Sequence, residues 1–255
     1  MGKIICVFNQ KGGVGKTTTV VNLAAALGNL KKKVLVTDVD PQANATSGLG
    51  INKEELEHTI YELLISTEDS REFILETSSK NVGILPSTPD LAGLEVELVM
   101  LDTRETRLSK VLNYVKDDYD FILVDCPPSL GQLSINALVA ADSVLIPIQC
   151  EYYALEGVSQ LIATLELIKT GLNPSLEIEG VLLSMFDGRN NLALEVVEEV
   201  KKYFKDKVFK SIIPRNIRVA EAPSYGLSVI EYDEKSKGAQ AYTKLAKEVV
   251  RNNKR

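Results

Sequence analysis

The sequence predicts an α/β fold: a doubly wound, mostly parallel twisted sheet flanked by helices. Short β-rich runs alternate with longer helical patterns along the whole chain, and such alternation implies right-handed βαβ crossovers. Several of the short runs are apolar throughout, which suits parallel strands covered on both faces. The length of 255 residues allows a sizeable core without a staple.

In chain order, the first strand is KIICVF at 3–8, and the apolar stretch VVNLAAAL marks a helix over 17–30. KVLVTD gives a strand at 33–38, after which Pro41 forces the chain out of regular structure. A helix over 53–65 precedes the strand VGILP at 82–86, and a long helix over 90–115 precedes DFILVD at 120–125. Helix 130–141, strand SVLIPIQ at 143–149, helix 153–170 and strand EGVLLSMF at 179–186 continue the alternation. Helix 190–204, strand VFKSII at 208–213 and helix 236–251 complete it. No repeat, low-complexity tract or linker interrupts the pattern, so residues 1–255 read as one domain.

Composition is that of an ordinary globular protein, with 45% hydrophobic and 25% charged residues, which excludes disordered and fibrous classes. The formal net charge of −6 argues against a plainly basic nucleic-acid binder. That charge is uneven: residues 1–184 carry 25 acidic and 14 basic side chains, and residues 185–255 carry 10 and 15. The basic quarter either offers one face to a polyanion or is a solvated lysine-rich surface. Cys6, Cys126 and Cys150 form no CxxC pair, which argues against a disulfide framework or a cysteine-only metal site. The first residues are too weakly apolar for a signal peptide, Cys6 breaks the myristoylation pattern, and no run approaches 18 apolar residues. A cytoplasmic protein without a membrane span is expected.

Residues 9–19, NQKGGVGKTTT, follow the first strand and lead into the first helix, the context a phosphate-binding loop requires. Gly12, Gly13 and Gly15 let the backbone wrap so that successive N–H groups, with that of Val14, point at an anion. The helix opening at Thr17 and Thr18 adds its positive end. Lys16 supplies a point charge for the β- and γ-phosphates, and the Thr17 hydroxyl is a Mg2+ ligand. The strict pattern needs glycine at position 10, where this chain has Gln10 followed by a second lysine, Lys11.

Asp125 ends the strand FILVD, where phosphate-loop enzymes place a metal-organising carboxylate. Asp38 and Asp40 lie at the end of the second strand, on the sheet edge where the ligand crevice forms, so Asp40 and Asp125 are expected to face the phosphates. Asp38 has the same strand parity as Asp40 and is either a partner of the site residues or a structural acceptor.

KGGVGKTTT, TDVDPQANATSGLG and FILVDCPPSLG resemble the deviant Walker A ATPases of the ParA/MinD family. LPSTPDLAGLE, EYYALEGVSQL and IPRNIRVAEAPSYGLSV are similar to its ParA/Soj chromosome-partitioning branch, and together the motifs span residues 3 to about 245. The resemblance implies ATP and Mg2+ as cofactors and a homodimer formed on ATP binding. It makes Lys11 the signature lysine that reaches the partner's phosphates, and it places Gly12 where the two loops meet. Asp40 becomes the residue that orients the attacking water, and Asp125 the Walker B acid. Met185, Pro214 and Asn216 fall in the adenine pocket region. Arg189 and Arg218 match positions implicated in DNA contact, and Arg189 precedes a helix N-terminus, where a cation opposes the dipole by roughly 0.3–1 kcal/mol. Each alternatively caps a carbonyl or pairs with Glu195 or Glu221. Lys201, Lys202, Lys205, Lys207 and Lys210 add diffuse attraction or form a solvated face.

The resemblance further implies a slow, partner-stimulated ATPase that binds double-stranded DNA non-specifically in the nucleoid. Phosphate contacts fit a few arginines and lysines without a recognition helix. No helix-turn-helix segment precedes the first strand, so specific reading is expected to fall to a ParB/Spo0J-type centromere-binding partner. Competing expectations are a MinD-like membrane-associated regulator, an iron–sulfur relative and a positioner of another cargo. Against the membrane-associated reading, Ala239, Tyr242, Leu245, Ala246, Val249 and Val250 share one face of the last helix, with spacing suited to docking on the core. The lone histidine, His58, reads as a surface residue, and Cys126 as a small core residue.

Overall fold

The computed structural model describes residues 2–151 and 154–254. Its elements are β1 (Lys3–Val7), α1 (Lys16–Asn29), β2 (Val34–Asp38), α2 (Asn44–Gly48), α3 (Ile60–Ser66), β3 (Leu75–Glu76), β4 (Val82–Leu85), α4 (Leu91–Leu98), α5 (Arg107–Asn113), β5 (Phe121–Asp125), α6 (Gln132–Ala140), β6 (Ser143–Gln149), α7 (Ala154–Gly171), β7 (Glu177–Ser184), α8 (Asn191–Phe204), α9 (Ile217–Glu221), α10 (Val229–Tyr232) and α11 (Lys237–Asn252). The strands form one sheet in the order β3-β4-β2-β5-β1-β6-β7. Every neighbouring pair is parallel except β3–β4. The doubly wound, mostly parallel architecture is therefore the one the alternation predicts.

The continuous apolar runs are explained by burial on both faces. In β1, Ile4 and Cys6 pack into a cluster with residues of α3 to α8, while Ile5 and Val7 pack into a second with α1, α10 and α11. Residues Ala239, Tyr242, Leu245, Ala246 and Val249 of α11 are buried in that second cluster, with Val250 partly buried beside them. Its apolar face is thus docked on the core, as its spacing predicts. Cys6 and Cys126 are fully buried with their sulfurs 3.3 Å apart, and His58 is exposed.

Four expectations need correction. Residues 208–213 form no strand: Val208 makes an isolated bridge to Val181 of β7, and just beyond the segment Pro214 makes another to Phe186. Phe209 and Ile213 donate their amides to the Val181 and Leu183 carbonyls, both at 2.9 Å. Between them, however, the Lys210 and Ser211 amides donate to the Glu248 carboxylate of α11 at 2.8 and 3.0 Å. A side chain takes the amides a ladder would need. The helix expected over 90–115 is broken into α4 and α5, with Thr103 in the left-handed region at φ 53°. Asn136 of α6 satisfies that break, donating to the Arg104 carbonyl at 2.7 Å and accepting from the Leu108 amide at 3.2 Å.

The helix expected over 53–65 starts only at Ile60, because Thr59 and Glu62 form a reciprocal capping box there. Finally, β7 ends at Ser184 rather than at 186, since Met185 turns into the left-handed region at φ 51°. The short β3, α2, α9 and α10 carried no sequence pattern of their own. Residue 153, the first of the helix expected at 153–170, and the two tyrosines of EYYALEGVSQL lie outside the described residues.

The Glu248 carboxylate also accepts the Ser211 hydroxyl at 2.9 Å and is 8% exposed. Glu248→Ala leaves those donors unsatisfied and is expected to cost about 2–3 kcal/mol in urea unfolding, with Glu248→Gln losing less. An unchanged midpoint for the alanine variant would contradict this role.

Candidate functional site

The loop after β1 returns to the sheet edge before entering α1. Gly13 and Gly15 adopt φ of 73° and 90°, where a side chain is strained, and at Gly12 and Gly13 a Cβ would meet nothing within 4 Å. The loop therefore presents bare backbone to open space. Its shape is pinned from outside: the Ser184 hydroxyl donates to the Val14 carbonyl at 2.8 Å, and Asn9 Nδ2 to the Pro147 carbonyl at 2.8 Å. Lys16 is 7% exposed and its Nζ donates to the Lys11 carbonyl at 3.3 Å. Burial lowers the pKa of Lys16, and the Asp125 carboxylate is the chief charge opposing that shift, followed by Cys126 and Asp40. Thr17 and Thr18 are partly buried in the first turn of α1.

Sheet order brings the carboxylates to this loop. β5 lies between β2 and β1, with Asp125 in register with Asp38 on one side and Val7 on the other. Asp125 is fully buried, and neither carboxylate oxygen has a hydrogen-bond partner among the described residues. Burial, then the Asp38 charge, pushes its pKa well above the usual carboxylate range. The Thr17 hydroxyl and Lys16 oppose the shift, although Thr17 does not close a hydrogen bond.

Asp38 acts as an acceptor that holds both Thr46 and the backbone of Asp40. Its oxygens take the Asp40 amide at 3.1 Å, the Thr46 amide at 2.9 Å and the Thr46 hydroxyl at 2.7 Å. Thr46 Oγ1 in turn accepts the Ser87 amide at 3.0 Å, and the Ser87 hydroxyl donates to the Asp40 carbonyl at 2.9 Å. Asp40 is thereby held at both its amide and its carbonyl. Its side chain is 7% exposed, accepts the Gln42 amide at 2.9 Å, and sits within electrostatic reach of Lys16 and Asp125. Lys11, Lys16, Asp40 and Asp125 thus belong to one sheet edge.

Met185 also joins the loop, its Cε 3.7 Å from where a Gly15 Cβ would stand. Pro214 pairs with Phe186, the next residue along that wall. The side-chain oxygen of Asn216 is occupied as the N-cap of α9, accepting the Arg218 and Val219 amides at 2.9 and 3.3 Å. The two arginines are paired locally. Arg189 binds both oxygens of Asp187, at 2.8 and 2.6 Å, rather than Glu195. Arg218 pairs with Glu221 at 2.9 Å and approaches Asp233 at 3.5 Å and the Tyr232 ring.

A fully buried carboxylate with two bare oxygens is costly unless a cation faces it. Beside it lie a threonine hydroxyl and an ammonium, at the N-terminus of a helix whose preceding loop offers backbone N–H groups. Hard oxygen ligands of this kind suit Mg2+, and the loop suits the phosphates such an ion accompanies. Sequence reasoning missed Thr46, Ser87 and Ser184, whose contacts span 8 to 170 residues and leave no local pattern.

Comparison with known proteins finds relatives along the whole chain. The AAA domain family matches residues 2–178. The chain is 57% identical over 252 residues to the sporulation initiation inhibitor protein Soj of Bacillus subtilis, covering 99% of this chain and 100% of that one. It is 55% identical to the chromosome partitioning protein ParA of Myxococcus xanthus, covering 98% and 89%. Among solved structures, a protein described as cobyrinic acid a,c-diamide synthase from Mycobacterium smegmatis, with bound ADP and magnesium, superposes with a TM-score of 0.86 at 35% identity, covering 98% and 95%. The cell division ATPase MinD of Pyrococcus furiosus superposes at 0.81 with 30% identity, covering 98% and 99%.

Thr46→Val removes a donor to Asp38 and the acceptor of the Ser87 amide, while Thr46→Ser keeps both. The valine variant is expected to lose about 1–3 kcal/mol in denaturant unfolding and the serine variant far less. Equal losses in both would remove the hydroxyl from the account.

Proposed function

The chain belongs to the ParA/Soj family of chromosome-partitioning P-loop ATPases, and on that premise we propose that it is an ATP-gated switch acting on DNA. In this reading Mg2+ and ATP drive formation of a homodimer from single-domain subunits. The dimer binds the double-stranded DNA of the nucleoid without sequence preference, and slow hydrolysis, stimulated by a ParB/Spo0J-type partner, releases it from that DNA.

The observation that carries the reading is the bare, buried Asp125 carboxylate facing Thr17 and Lys16 at the mouth of the glycine loop. Thr17 and Asp125 would hold Mg2+, which neutralises charge developing on the phosphates. The backbone of Gly12, Gly13, Val14 and Gly15 cradles the phosphates, Lys16 pairs with the β- and γ-oxygens, and Thr18 continues the helix start. Asp40, fixed through Asp38, Thr46 and Ser87, orients the water that attacks the γ-phosphorus. Met185, Pro214 and Asn216 form the wall beside the base. Asn216 serves there mainly by shaping α9, since its side-chain oxygen is already used.

Lys11 is half-buried and pairs with no carboxylate among the described residues. A cation delivered to the phosphates of a second subunit stabilises the transition state only in the dimer, which makes hydrolysis conditional on assembly. For DNA, Arg189 and Arg218 are exposed and their local ion pairs are weak in water, so a phosphate can replace Asp187 or Glu221 at little cost. No described helix is long and apolar enough to cross a membrane. The apolar face of α11 is spent on α1, which leaves that helix no membrane anchor.

The test is DNA binding by Asp40→Ala with ATP, with ADP and without nucleotide over a salt series. Binding only with ATP, weakening steeply as salt rises, is expected; no binding in any state would overturn the DNA half of the reading. Arg189→Glu is expected to keep ATP-driven dimerisation while lowering the log–log salt slope by about 1. An unchanged slope and affinity would leave Arg189 a surface residue.

A further inference from the structure

We propose that Thr164, midway along α7, is a positioning residue for Lys11 and acts through the side chain of Gln10. The inference rests on the reading of Lys11 as the lysine that serves a second subunit's phosphates. Gln10 stands where the strict phosphate-loop pattern has glycine, and its Nε2 donates to Thr164 Oγ1 at 3.2 Å, across 154 residues of chain. Thr164 is 7% exposed on a helix whose Leu161, Leu165 and Ile168 are core residues, so this hydroxyl is a fixed polar point in an apolar wall.

The contact completes a clamp on the lysine backbone. The Lys11 amide donates to Asn9 Oδ1 at 3.0 Å, while Asn9 Nδ2 is tied to Pro147 of β6. The Lys11 carbonyl accepts Lys16 Nζ. Asn9 and Lys11 also face Gly157 and Val158 of α7 across a narrow cleft. Among the described residues, Gln10 is the one of this stretch that bonds its side chain to α7, a tie that glycine has no atoms to make. A lysine that must place its ammonium on a phosphate outside its own subunit needs its backbone fixed, because small errors in position cost large factors in rate. The departure from the strict pattern thus has a physical role. It couples α7 to the lysine that acts in trans, and a displacement of α7 is transmitted to Lys11.

The test compares Thr164→Val, Thr164→Ser, Gln10→Ala and the Gln10→Ala/Thr164→Val double variant, with Lys11→Ala as reference. ATP affinity of the monomer and kcat at saturating ATP are read separately, and urea midpoints report folding. The expected result is a loss of about fivefold in kcat for Thr164→Val at unchanged ATP affinity, with Thr164→Ser within about twofold of wild type. The double variant should be no slower than the slower single variant, because both remove one bond. Gln10→Ala gives the same readout from the loop side should the valine variant fold poorly. Multiplying losses in the double variant, or a parallel fall in ATP affinity, would overturn the positioning role. If Lys11→Ala is impaired while Thr164→Val and Gln10→Ala match wild type, the inference fails and the Lys11 reading stands. If Lys11→Ala itself matches wild type, that reading fails and takes the inference with it.

Discussion

The structure turns on one electrostatic constraint: Asp125 is a fully buried carboxylate whose oxygens have no hydrogen-bond partner among the described residues. Strand order accounts for the burial. With β5 between β2 and β1, the end of β5 is enclosed by the loops that follow its neighbours. One neighbour supplies further negative charge in Asp38 and Asp40, which raises the cost of ionising Asp125. The other supplies the glycine loop, Thr17 and Lys16. A divalent cation held by Asp125 and Thr17 would relieve the burial of charge, and the loop that Gly13 and Gly15 hold open would suit the phosphates accompanying it. The remaining contacts keep this arrangement in place: Ser184 on Val14, Asn9 on Pro147, and the ring of Asp38, Thr46 and Ser87 around Asp40.

How much of this is legible in the sequence depends on the range of the interactions. The glycine loop is readable because its residues are contiguous and their types are dictated by backbone shape and charge. Asp125 is readable because it ends an apolar run. The central strands are readable because burial on both faces leaves no polar interruptions. By contrast, nothing near Asp38 distinguishes a structural acceptor from a partner of the site residues. The answer lies in Thr46, eight residues on, and in the fold that brings Ser87 against it.

Apolar pattern also fails where a distant side chain intercepts the backbone. Residues 208–213 have the composition of a strand, yet Glu248 takes two of their amides. Asn136 holds the break in the helix expected over 90–115 in the same way. For the arginines, charge at a helix start was visible, but the pairing of Arg189 with Asp187 rather than Glu195 depends on a tight turn that no periodicity encodes.

The site as it stands in one chain is half of a catalytic centre in this account. In the proposed reading Lys16, Thr17, Asp40 and Asp125 bind and orient, and Lys11 of a second copy would supply the charge that completes transition-state stabilisation. Assembly, hydrolysis and DNA release are then steps of one cycle. The most direct measurement is ATP turnover per subunit as a function of protein concentration at saturating Mg2+ and ATP. The account predicts that turnover rises with concentration and levels off once the dimer is saturated, with sedimentation detecting the dimer over the same range. Turnover per subunit that stays constant from dilute monomer upward would contradict it.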